Sequence, residues 1–460
     1  MSHPFLFRAI PQVAIGAAFV SLAATAEAIS YYKANLTSPP NLNSSGAWTD
    51  LAGGAVTTAP ANNSGSDPDI WHWDNRVTAV TAASIVSMGG DVRLNTIKIL
   101  DPGGAVTIDG VTRTMSISNN GGIDMSAATQ DLTIGNLPTG TNSGFRILGS
   151  NFNIAINVAA GRTFTLNSKL AVNGGSGGVT VTFAGAGTSI FNDQFQASNL
   201  VLSAGEVRLN SLTGSTRNGT NTTTVNGGRL VINNTTSGSA TGSGAVNVNN
   251  TGTLTGQGSM AGVVTVASGG TLIPRDGAIG SLTTGGLSLA AGSTIKWEGI
   301  DTTQADLITV NNTDGLVING GTVELYNSGT TTPFTGTGVY KLFAFNSAGT
   351  IGGSGVSSLA VAESTKIAGQ TYTFGVAAGF VTLTIEVGSR PQSFWNQDIS
   401  GTWATPANWT SNGVPNAISA IANLGGAEGT PITQPRTVTL GAPATVGVLN
   451  SPSPWRVPAP

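Results

Sequence analysis

Gly174-Gly175-Ser176-Gly177-Gly178 spells G-x-S-x-G, the pattern that holds a serine nucleophile on a tight strand-to-helix turn. Acyl transfer from Ser176 would need a histidine within hydrogen-bond reach and an acid behind it. The chain has two histidines, His3 and His72, and only His72 lies beyond the N-terminal leader, between Trp71 and Trp73. With 64 glycines in the chain such a match arises by chance, and no strand-elbow-helix pattern surrounds it. We therefore assign no catalytic residue. Three other pairs carry acid–base potential: Arg275 with Asp276, Glu206 with Arg208, and Lys296 with Glu298. Carboxylates beside cations are what a polysaccharide-cleaving groove needs. Each pair is isolated among Gly, Thr and Asn, and in the last two the charges fall at alternate positions, as on the solvent side of a strand.

Metal and cofactor chemistry find no better footing. A lone His72 cannot build a zinc site, and no cysteine exists to supply thiolates. Asp67, Asp69 and Asp74 are the tightest acidic cluster, with Asp50 joining them only if the fold brings it near; we read them as a solvated loop. No cofactor is implied. Trp71 and Trp73 lie two apart, so in a strand both rings face one way. That geometry can stack on a sugar ring or close the apolar end of a core.

The elements that must position these residues follow from composition. Only 9% of the 460 residues are charged and the net charge is −3, so there is no field to attract nucleic acid. Solubility falls to Thr, Asn and Ser. Without cysteine there are no disulfides, and a large hydrogen-bonded core must hold the chain together.

The first residues read as an export signal. Arg8 precedes the apolar run "AIPQVAIGAAFVSLAATA", and Ala26-Glu27-Ala28 supplies the small-x-small pattern of signal peptidase. We expect residues 1–28 to be removed after Ala28. No later run is long and apolar enough for a membrane-spanning helix.

Beyond the leader, one unit keeps returning. In "GVVTVASGGTL", Val264 and Val266 share one face of a strand, a double glycine makes a bend, and Leu272 enters the next strand. The first apolar residue after each such turn is Phe164, Ile190, Val207, Leu230, Leu254, Leu272, Ile295 and Val323, separated by 17 to 28 residues. A mean near 23 marks a solenoid. The apolar period is two rather than 3.6, and the glycines would each cost a helix about 1 kcal/mol. The chain is therefore expected to be all-β, a right-handed parallel β-helix over residues 81–389 with a tryptophan-bearing cap over 29–80. An array of β-sandwich-like domains is the alternative.

The run "NNTGTLTGQGSMAGVVTVASGGTLIPRDGAIGSLTT", Asn249 to Thr284, resembles the passenger-associated-transport repeat of bacterial autotransporter passengers. "DTTQADLITVNN", "LVINGGTVELYN" and "GVYKLFAF" resemble the segment that follows it in large exported proteins with autotransporter-associated β-strand repeats. The likeness is best over residues 200–350. It departs at "PRDGAIG", where the family prefers a Pro-Gly turn. It implies a β-helical protein secreted to, or held on, the outer surface of a Gram-negative-type bacterium. It also implies a C-terminal membrane barrel, which nothing after Val387 supplies.

Two tryptophan-bearing segments share an S-G-x-W start, "SSGAWTD" with "DIWHWDN" and "ISGTWAT" with "ANWTSNGVPN". They read as openings of two successive repeats, the second over residues 390–460 and breaking off early. Trp403 and Trp409 then parallel Trp71 and Trp73 as cap or glycan-stacking residues. The resulting expectation is a structural solenoid for adhesion or envelope scaffolding, not an enzyme. Its partners would be surface glycans or other envelope proteins, with end-to-end self-association open to it and nucleic acid excluded. The alternative is a β-helix that binds or cleaves an acidic polysaccharide.

Overall fold

A computed structural model describes residues 29–451 apart from 37–39, 58–68, 78–84, 139–143, 149–151, 174–177, 216–220, 368, 389–391, 396–397, 411–412 and 425–432. The expected signal cleavage site, Ala26 and Ala28, lies outside the described residues, as do Ser176 and Asp67.

Short strands with alternating burial fill the chain, as the period of two dictates. They coil into a parallel β-helix with three faces. Twelve strands, from Ile85–Ser87 to Leu359–Val361, stack in parallel register on the first face. At about 4.8 Å per strand this sheet runs about 53 Å. The second face carries residues 70–73, 96–99, 122–125 and Asn153–Val158, then Thr180–Ala184 and its successors as far as Leu316–Ile318. The third carries residues 92–94, 115–118, Phe145–Leu148 and Leu170–Asn173 early in the rod, and Leu307–Val310 late in it.

Because successive coils are in register, inward side chains fall into columns. On the first face Val106, Leu132, Phe164, Ser189, Val207, Leu230, Leu254, Leu272, Ile295, Val323 and Val361 lie one above another, all buried. Each apolar member stabilises by roughly 1.5–3 kcal/mol relative to an exposed one. Seven of the eight turn-following residues singled out above belong to this column. Ile190 does not: Ser189 takes the inward place and Ile190 faces outward. Phe191 sets the parity there, its ring packing edge-on to Phe164, Phe183 and Phe195 at 5.0–6.1 Å, and the small Ser189 leaves those rings room.

The polar corners are also stacked. Asn192, Asn210 and Asn233 each donate from Nδ2 to the Asn Oδ1 one coil earlier, beginning at Asn167, over 2.7–3.0 Å. Asn249 does the same to Asn226 at 2.7 Å. Tight bends require glycine: Gly269 has φ +76° and a Cβ there would lie 2.1 Å from Asn250 Oδ1.

Both ends of the rod are closed. At the N-terminal end Tyr31 and Trp71 head the second-face column above Ile97, and Trp48 and Trp73 fill the space beside them. At the other end parallel stacking gives way to an antiparallel hairpin, Gln370–Ala377 with Phe380–Val387, which pairs antiparallel with Gly338–Phe345. This hairpin covers a strand edge that would otherwise offer unpaired backbone groups.

Residues 392–450 form a separate parallel sheet of Gln392–Phe394, Ala417–Asn423 and Val446–Asn450, with its own core of Trp395, Trp403, Trp409, Ala422 and Leu424. Backbone geometry corrects the match between the two tryptophan segments. Trp48 follows the 3₁₀ turn Ser45–Ala47 and donates Nε1–H to Leu42 O six residues back. Trp409 follows the 3₁₀ turn Pro406–Asn408 and donates to Trp403 O, also six back. The counterpart of Trp48 is thus Trp409, and the shared S-G-x-W letters align different places in the turn.

Candidate functional site

The four tryptophans considered for glycan stacking, Trp71, Trp73, Trp403 and Trp409, are 0%, 1%, 7% and 5% exposed. Stacking on a sugar needs an open ring face, and these rings have none. Trp71 packs on Trp48 at 4.9 Å and on Trp73 at 6.3 Å; Trp403 packs on Trp409 at 4.8 Å. They are core side chains.

The charged pairs are occupied as well. Glu206 holds both Arg208 and Arg229, and Arg229 reaches on to Asp276, giving an exposed ion network in which each carboxylate is neutralised. Glu298 is buried and accepts from the backbone N–H groups of Gly277 and Gly329 at 3.0 and 2.7 Å. Asp306, missed in the sequence, is fully buried and accepts from Gly280 N and Glu298 N, while its carbonyl takes Trp297 Nε1–H. Burial pushes its carboxyl up to about 8 against the pull of those two backbone donors. These groups fasten loops. Among the described residues no three His, Asp or Glu side chains come together to hold a metal.

Polar side chains do converge elsewhere. A groove of about 480 Å³ opens on the outer side of the second face, lined by His72, Lys98, Asp124, Asn120 and Asn157 over a floor of Gly121 and Gly122. His72, Lys98, Asp124 and Asn157 are register partners in four consecutive coils. They alternate with the inward Trp71, Ile97, Ile123 and Ile156, so the period of two that builds the core also sets this outer row.

The concavity comes from an insertion. In Met115–Met125 the register with Val92–Ile99 jumps between Leu94 and Thr96, leaving residues 118–121, Ser-Asn-Asn-Gly, without partners in that earlier strand. Asn120 turns left-handed with φ +56° and accepts from Asn153 N at 2.9 Å. Gly121 and Gly122 press against the carbonyls of Asn95 and Ala155, where a Cβ would sit 1.8 Å from oxygen. Only glycine fits that floor.

The electrostatics are balanced. Lys98 Nζ lies 3.4 Å from Asp124 Oδ2, and Ser126 donates to Asp124 Oδ1 through Oγ at 2.6 Å and N at 3.1 Å. Burial raises the Asp124 carboxyl, but Ser126 and Lys98 outweigh it and hold it below its ordinary range. His72 stacks on Tyr32 at 4.4 Å, with the Arg76 guanidinium on Tyr32 at 3.9 Å. Burial, then Lys98, lowers the imidazole pKa, with Asp74 and Asp124 pulling the other way. Neither of its ring nitrogens has a hydrogen-bond partner. The site therefore presents an ion pair and two amides beside an imidazole whose nitrogens are sealed from solvent, a set rich in hydrogen-bonding groups. One signal for it stood in the sequence: His72, Lys98 and Asp124 are 26 residues apart, one coil each.

A scan against models of known protein families matched nothing, and no curated protein matched the chain. No helix among the described residues is long and apolar enough to cross a membrane.

Proposed function

We propose that this chain is an exported structural solenoid, secreted or held on the outer surface of a bacterial cell, where it spaces or attaches other molecules and performs no chemistry of its own. The observation that carries this reading is the coil-by-coil repetition. Eleven buried residues form one unbroken column, and asparagine amides repeat at a corner on the outside. A fold that spends its sequence on stacking makes length and surface. The resemblance of residues 200–350 to passenger-type repeats supports export, as does the leader-like sequence of residues 1–28. The occupied carboxylates of Glu206, Asp276 and Glu298 speak against the polysaccharide-cleaving alternative.

The test has two arms. Protease shaving of intact cells should release fragments of the rod, and deleting the gene should reduce attachment to surfaces or neighbouring cells. Neutral and acidic polysaccharides incubated with the purified chain should keep their length. Shortened polysaccharide, or a chain found only in the cytoplasm, would overturn the proposal.

A further inference from the structure

We infer that the groove over Gly121 and Gly122 is a binding subsite for a short neutral carbohydrate segment. This rests on the surface-attachment reading and names the chemistry of what is attached. The groove's volume, about 480 Å³, lies in the range of small-ligand sites. His72 is 8% exposed, lines the groove, and has two ring nitrogens without partners. A buried polar atom left unpaired is costly; with no accessible surface of their own, these nitrogens gain a hydroxyl partner only when the ring turns towards the groove.

The remaining chemistry selects the class. Lys98 and Asp124 cancel in charge, so an anionic sugar would meet Asp124 and a cationic one Lys98. A neutral hydroxyl donates and accepts at once, and so can bridge the carboxylate, the ammonium and the amides of Asn120 and Asn157. Successive coils repeat these groups along the rod axis about every 4.8 Å, close to the advance of one sugar unit in an extended chain. The glycine floor lets a ring lie against the backbone, and Ile70 supplies an apolar edge. No aromatic face is open in the groove, so binding is weak per site and depends on the polar row.

His72 gives a direct probe, because the only other histidine is His3, in the leader. The full chain, labelled with ¹⁵N-histidine, is titrated with cello- and xylohexaose and, in parallel, with hexamers of galacturonate. Saturable shifts of the His72 ring signals with a neutral hexaose are expected. Asp124→Asn and Lys98→Met should each weaken that binding at least tenfold, while Arg208→Gln, on another face, should leave it unchanged. Unmoved ring signals with both neutral hexaoses would overturn the inference. So would tighter binding of the uronate that Asp124→Asn improves. Cells that still attach through the chain without sugar binding would refute the subsite and spare the scaffold. Hexaose that binds and is then cut would do the reverse.

Discussion

The start of the rod and the sheet at residues 392–450 share one local plan and fill it with different side chains. In both, a first strand runs parallel to a later one: Tyr31 and Tyr32 face Trp71 and His72, and Ser393 and Phe394 face Ala422 and Asn423. In both, a 3₁₀ turn delivers a tryptophan opposite the end of that first strand, Trp48 against Lys33 and Trp409 against Trp395. The inward position held by Trp395 in the second copy is therefore held by Lys33 in the first. Leu42, six residues before Trp48, has Trp403 as its counterpart. On the outer row, the places of His72 and Lys98 are taken by Asn423 and Asn450, where Asn450 Nδ2 donates a hydrogen bond to Asn423 Oδ1 at 2.6 Å. The second copy is a plain ladder, and the first has given up ladder bonds for charge and an open groove. Departure from the repeat, rather than the repeat itself, marks the place where something specific happens.

The largest effect that can break this comparison is removal of the paired tryptophans. Trp48→Ala and Trp409→Ala should each cost about 3–5 kcal/mol. Hydrogen exchange should show the loss around residues 30–99 for the first and within residues 392–450 for the second. A loss from Trp409→Ala that spread through the rod would end the idea of two separate cores.

Lys33 comes next. It is 3% exposed, donates to Ala34 O, and burial pulls its pKa down to about 8 from 10.5. Between those values the unfolded chain binds the proton more tightly than the folded one, so stability rises with pH across that window and the full penalty stands below pH 8. Lys33→Met, which makes the position apolar like that of Trp395, should add about 1–3 kcal/mol at neutral pH. Denaturant melts from pH 7 to 10.5 should then lose most of their upward slope. An unchanged slope would mean that Lys33 is not the group responsible.

The smallest effect concerns the outer row. Asn450→Ala should cost about 1 kcal/mol in the second copy. The double change His72→Asn with Lys98→Asn should leave the first copy within about 1 kcal/mol of its starting stability while removing hexaose binding. A large destabilisation would show that the charged row holds the rod together and was not free to serve a ligand.

Much of this architecture was legible because a period of two and a coil near 23 residues are both written in residue types. The column through Leu230, Leu254 and Leu272 could be read directly. Ile190 misled because hydrophobicity alone cannot say which of two adjacent apolar residues is inward; the size of Phe191 decides. The tryptophan match misled because S-G-x-W is a likeness of letters, whereas the turn is defined by hydrogen bonds such as Trp48 Nε1 to Leu42 O. The closing hairpin over residues 370–387 was invisible, since the parallel strands of this rod are covered on one side only and so alternate as antiparallel ones do. The groove was half legible: its spacing of 26 lay open, but its concavity depends on where Ser118–Gly121 leave the ladder, a matter of register.

The parallel stacking also sets how the molecule answers to pulling. Its backbone hydrogen bonds run along the rod axis, so a load applied end to end stretches them head-on, and the coils can yield one at a time. Each coil released frees a chain of about 23 residues, which extends to about 80 Å in place of about 4.8 Å. A filament built this way lengthens in steps under tension and dissipates a sudden jerk before it parts.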